Sequence, residues 1–168
     1  YDIPIFIHPT SFASDRFSAH YLTNIIGNPL DTTVAMHYLI FGGVLERYPD
    51  LKFVLSHGGA FAAAYAGRMD HAYGARPDCR ENISMPPSFY LEKFYPDSLV
   101  FTIEQLQYLI NRFGADHVLI GTDYPFDMGE YDPVEHVYQV PGLSSANRDL
   151  ICGGNALRLM HMTEDECK

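Results

Sequence analysis

The sequence predicts an α/β fold of parallel strands joined by helical crossovers, on three observations. Short apolar segments recur along the 168 residues, each followed by a loop and then an amphipathic helical stretch. The apolar segments are nearly free of polar interruptions, as strands buried on both faces are. Hydrophobic residues make up 47% of the chain and charged residues 19%, a balance that supports a sizeable core and argues against disorder. Two architectures use such units in series with right-handed crossovers, the doubly wound sheet and the closed (β/α)8 barrel. A full barrel takes about 250 residues, so this chain would supply only part of one. An isolated half-barrel would leave two open parallel edges.

The elements follow in order. The first strand is expected over residues 3–8, Ile-Pro-Ile-Phe-Ile-His. A helix over 32–47 follows, with Asp31 as N-cap and Val34, Tyr38, Phe41 and Leu45 at helical spacing. Tyr48-Pro49-Asp50 turns the chain into a second strand over 52–56, which ends at His57-Gly58-Gly59. A helix over 60–73 comes next. Residues 76–87, with Pro77, Pro86 and Pro87, read as a long loop, and residues 99–101 as a short strand. The stretch 103–113 reads as a helix with Ile103, Leu106, Leu109 and Ile110 on one face and Gly114 as its terminator. A fourth strand is expected over 118–121, and two short helices over 144–152 and 155–161.

Eleven lysines and arginines against 21 aspartates and glutamates give a net charge of −10. That sign disfavours nucleic-acid phosphate and anionic membrane surfaces as partners. No apolar run approaches the length of a membrane span. Cys79, Cys152 and Cys167 form no disulfide framework, and a reducing, cytoplasmic setting is expected. An apolar strand beginning almost at the first residue, with no initiator methionine, suggests the C-terminal part of a longer protein.

Three polar residues follow three predicted strands: His8, His57 and Asp123. In a barrel the carboxyl ends of the strands converge on the face that hosts catalysis. Two imidazoles and a carboxylate suit a divalent cation, which can activate water or polarise a substrate oxygen. Read singly, each has a plain structural explanation: a hydrogen-bonded histidine at a strand end, or a turn aspartate ahead of Pro125. Their recurrence at equivalent positions favours a shared site. Gly58-Gly59 lacks the spaced third glycine of a dinucleotide fingerprint, and no phosphate-loop lysine is present. Nucleotide binding is therefore not expected, and the reading implies no organic cofactor. Cys79 has no visible base to activate it.

The strings Phe6-Ile7-His8-Pro9, Leu55-Ser56-His57-Gly58-Gly59 and Gly121-Thr122-Asp123-Tyr124-Pro125-Phe126 resemble the amidohydrolase-related, metal-dependent decarboxylases. The aminocarboxymuconate-semialdehyde, γ-resorcylate and 5-carboxyvanillate decarboxylases belong to this group, and the pattern resembles that of the first. The resemblance extends to Gly67-Arg68, the Arg76 region, Asp97-Ser98-Leu99-Val100-Phe101 and Gly154-Asn155-Ala156. It implies the C-terminal half, about strands five to eight, of a TIM-type (β/α)8 metal-dependent hydrolase barrel, one partial domain over 1–168. By position it makes His8 a metal ligand after the fifth strand and Asp123 a metal ligand after the eighth. His57 becomes the sixth-strand histidine that transfers a proton. Arg76 becomes a substrate-carboxylate ligand that reaches a neighbouring subunit, and Arg68 reads as structural.

The implied metal is Zn2+, with Mn2+ as the alternative, and the implied assembly a homodimer. The implied reaction is non-oxidative decarboxylation of an aromatic or unsaturated carboxylic acid. In the semialdehyde case water adds before carbon dioxide leaves, and in the aromatic case ring protonation comes first. The family's first strand carries a His-x-His pair that is absent from these residues. Two other readings stay open: a hydrolase of a lactone or amide on the same scaffold, and a non-catalytic oligomerisation or interaction fragment.

Overall fold

The computed structural model describes residues 2–10 and 12–167. Its elements run β1 (Ile5–Ile7), α1 (Asn28–Phe41), α2 (Val44–Arg47), β2 (Phe53–Leu55), α3 (Ala62–Ala75) and α4 (Pro87–Leu91). They continue with β3 (Phe94–Pro96), α5 (Ile103–Phe113), α6 (Pro133–Tyr138), α7 (Ser145–Asp149) and α8 (Asn155–Met160). The chain divides into two compact units. One holds residues 2–6, 52–58 and 94–167; the other holds 7–51 and 59–93.

The first unit is built on a three-stranded sheet ordered β1-β2-β3, in which β2 and β3 run parallel with Phe53 opposite Phe94 and Leu55 opposite Pro96. The Phe53 and Phe94 rings lie 5.8 Å apart on that register. Leu55, Phe94, Leu106, Val118, Val137 and Ile151 are fully buried in this unit's core. Helix α5 presents Leu106, Leu109, Ile110 and Phe113 to the interior, the i, i+3, i+4, i+7 stripe expected of it. The Thr102 side chain caps its first turn by accepting from the Gln105 N–H, and Gly114 ends it.

The second unit is helical. Met36, Ile40, Leu45, Ala62, Tyr90 and Leu91 form its core. Glu46 gathers two hydroxyl donors, Ser84 Oγ at 2.7 Å and the Tyr90 phenol, and the Tyr90 oxygen accepts from the Met85 N–H. These bonds hold the Glu46 carboxyl below its ordinary range.

Several expected boundaries are corrected. The 32–47 helix begins earlier, at Asn28, directly after a π-helical turn over Thr23–Gly27, so Asp31 lies in its first turn and is not its N-cap. It breaks at Gly42-Gly43, where two poor helix formers meet, and resumes as α2. The proline-rich loop contains a 3-10 turn over Pro77–Arg80 and gives way to α4 at Pro87. Proline at the first helical position loses no intrahelical bond, which is why Pro87 and Pro133 start helices that their composition disguises. The short strand lies at Phe94–Pro96, and Leu99–Phe101 is irregular, apolar because Leu99 and Val100 are buried. The stretch 118–121 makes one parallel bridge, Leu119 with Asp97, instead of a full strand. Its other backbone groups go elsewhere: Ile120 N–H to Ile151 O, and Val118 O to the Asn155 amide.

Candidate functional site

The chemistry of the first unit collects where β2 ends. Leu55 closes the strand, Ser56 is buried, and the backbone then turns left-handed for four residues in a row. His57, Gly58, Gly59 and Ala60 have φ of 56, 63, 68 and 55°. Such angles are costly for a side chain with a Cβ, so this turn needs support from its surroundings. At Gly58 the need for glycine is also steric, since a Cβ there would lie 2.4 Å from Val100 Cγ1.

Within this frame His57 Nε2 lies 3.7 Å from Asp123 Oδ2, with the two side chains 14% and 10% exposed. The other ring nitrogen, Nδ1, is 3.3 Å from Ser56 Oγ. Asp123 also has left-handed backbone, φ 54°, and its carbonyl accepts from Phe126 N–H as the chain reverses. A spacing of 3.7 Å is ion-pair distance when the imidazole is protonated. It is also close to the roughly 3.4 Å that separates two ligands at about 2.1 Å from one tetrahedral zinc ion. A ring nitrogen and a carboxylate oxygen, both largely removed from water, therefore fit a divalent cation.

Asp97, at the end of β3, lies directly behind this turn and is buried. Its Oδ1 accepts from Gly58 N–H at 2.7 Å and Leu99 N–H at 3.2 Å, and the His57 N–H also donates to the carboxyl. Desolvation outweighs these donors and pushes the Asp97 carboxyl up to about 6, with the nearby Asp123 charge acting in the same direction. The sequence reading did not give Asp97 a role. The available signal was a carboxylate directly after the apolar Phe94-Tyr95-Pro96.

His8 stands one residue beyond β1, in the second unit, and is exposed. Arg76 is exposed and forks onto Asp78 through Nε and Nη2 at 3.0 and 3.2 Å, a pairing that holds the Asp78 carboxyl low. Arg68 lines an open cavity of about 540 Å³ in the second unit, with Leu30, His37, Phe41, Phe61 and Tyr65 among its walls. None of His8, His57, Asp123 or Arg76 lines that cavity. His117 stacks on Tyr95 with ring centres 4.6 Å apart, and His136 is buried beside Glu130, so both have structural surroundings.

The amidohydrolase family model matches residues 1–161, nearly the whole chain. The chain belongs to the amidohydrolase family. Among curated proteins this amidohydrolase chain is 38% identical over 158 residues to a 2-amino-3-carboxymuconate-6-semialdehyde decarboxylase of Dictyostelium discoideum, covering 93% of this chain and 44% of that protein. It is 29% identical over 166 residues to the protein of the same name from Caenorhabditis elegans, covering 97% of this chain and 41% of that one. Among solved structures it matches 5-carboxyvanillate decarboxylase from Sphingomonas paucimobilis with a TM-score of 0.84 at 26% identity, over 96% of this chain and 50% of that one. The amidohydrolase chain thus spans about half the length, or less, of the relatives it matches. Its fold is a piece of the α/β amidohydrolase barrel.

Proposed function

We propose that the protein carrying this chain is a metal-dependent, non-oxidative decarboxylase of an unsaturated or aromatic carboxylic acid. The observation that carries the reading is the largely buried His57–Asp123 pair, 3.7 Å apart, in a chain whose curated relatives are named as decarboxylases. His8, one residue past β1, is proposed to join Asp123 in holding the ion, as the resemblance of its sequence motif implies, an imidazole and a carboxylate being suitable ligands for a divalent cation. Zn2+ is the proposed ion and Mn2+ the alternative. Bound there, a divalent cation polarises a substrate oxygen and lowers the pKa of water.

His57 moves the proton. Loss of carbon dioxide breaks a carbon–carbon bond and leaves its electron pair on the former α-carbon, which must be protonated. An imidazole titrates near neutrality and can first take a proton from water or a hydroxyl, then return it to carbon. Asp123 Oδ2 lies on the Nε2 side of the ring, 3.7 Å away. Arg76 is proposed to exchange Asp78 for a substrate carboxylate, whose geometry matches the same guanidinium fork. The chain is proposed as one partial domain, the C-terminal half of the barrel, about strands five to eight, in a cytoplasmic homodimer.

The test is carbon dioxide release with 2-amino-3-carboxymuconate-6-semialdehyde and with hydroxylated benzoic acids, beside a lactone-opening assay. Carbon dioxide release that falls by about a hundredfold or more in His57→Asn is the expected outcome. Lactone turnover without carbon dioxide would overturn the reading.

A further inference from the structure

The left-handed turn after β2 poses a question that the proton-transfer role of His57 does not answer. A histidine and an alanine sit at φ 56 and 55°, at either end of two glycines, and something must hold them there. Hydrogen bonds within a tight turn satisfy few of its own donors. The N–H groups along the start of this turn point inward, to a single acceptor from a different strand.

We propose that Asp97 is the positioning residue of this site, its carboxyl acting as the common acceptor that locks the 57–60 turn and aims the His57 ring at Asp123. Four observations converge on it. Asp97 Oδ1 takes the Gly58 N–H at 2.7 Å, the shortest of its bonds, and the His57 N–H faces the same group. The same oxygen takes Leu99 N–H at 3.2 Å, which ties the turn to the bend after β3. The Asp97 backbone is in register with both flanking segments: its N–H donates to Leu55 O at 3.0 Å, and it bridges Leu119. Gly121, two residues before Asp123, is moulded to it: a Cβ there would lie 2.7–2.8 Å from Asp97 Cβ, Cγ and Oδ2. One buried side chain thus touches the approach to both members of the pair. Asp97 itself has no route to substrate in this role; it acts through His57 and Asp123.

The inference rests on the reading of His57 as the proton-transfer group, and the experiment separates the two. The protein is prepared with ring-labelled histidine, and the His57 resonance, assigned by its loss in His57→Asn, is followed in Asp97→Ala and Asp97→Asn. Val137→Ala, a fully buried site on α6, serves as a control for general destabilisation. The expected result is a displaced His57 resonance in Asp97→Ala and a kcat loss of roughly ten- to a hundredfold with little change in KM. Asp97→Asn keeps an acceptor oxygen and should restore the resonance, whereas Val137→Ala should leave it in place. A displaced resonance without any decarboxylase turnover would count against the proposed function and for the positioning role. A folded Asp97→Ala with an unmoved His57 resonance would overturn the inference. Should Asp97→Ala not fold, amide exchange in the unsubstituted protein decides: a protected Gly58 N–H supports the lock, and one exchanging as fast as an open loop sinks it.

Discussion

At the scale of single residues, the site depends on backbone conformations that most side chains avoid. Gly58 is the most exacting of these positions, with φ 63° and both Val100 and Leu109 within 3 Å of a notional Cβ. Gly58→Ala should cost at least about 2 kcal/mol, combining left-handed strain with overpacking. Urea unfolding of the variant beside the unsubstituted chain measures it. Asp97 carries a pH signature as well. Its carboxyl is raised to about 6 from an ordinary value of 3.8, so between those values the folded chain holds a proton that the unfolded chain has released. Stability therefore falls as pH rises through that window and levels off above it, by roughly 3 kcal/mol in all at 1.36 kcal/mol per pH unit. Unfolding midpoints of metal-free protein between pH 4 and 7 should show this decline, and Asp97→Asn should flatten it. A profile that rises through the window would refute the assignment.

Among elements, helix α5 shows how closely local rules can predict structure. Its apolar stripe, its Thr102 cap and its Gly114 stop are all readable from spacing and residue type. Thr102→Ala leaves the Gln105 N–H without its side-chain acceptor and should lower stability by about 1 kcal/mol in a thermal melt. The strands behave differently. Leu99–Phe101 has the composition of a strand and is irregular, while Phe94–Pro96 pairs with β2 despite ending on proline. Apolar composition reports burial, and burial in a strand or in an irregular segment looks alike over three residues. Pairing is decided by which backbone groups find partners. Pro96 lacks an N–H, yet its carbonyl still accepts from Leu119.

For the whole molecule, charge is the property that composition alone determines. A net charge of −10 and an isoelectric point near 5.0 keep the chain mutually repulsive at neutral pH. Solubility of the 168-residue chain should pass through a minimum near pH 5 and recover on either side, as turbidity measurements would reveal. The helices of the described residues include none long and apolar enough to cross a membrane, in keeping with that charge.

The sequence by itself determined the α/β class, the family and the helices with a strong apolar stripe. It also marked His8, His57 and Asp123 as candidates, because periodicity and the residue types at strand ends are local properties. Tertiary structure decided what local pattern cannot encode: that 118–121 is shared between a bridge and other partners, and that prolines open α4 and α6. It also decided that residues 66 apart in the chain, His57 and Asp123, stand 3.7 Å apart. Asp97 belongs wholly to this second class. Its significance lies in the N–H groups of another strand's turn, 39 residues away along the chain, and such long-range partners exist only once the sheet has formed.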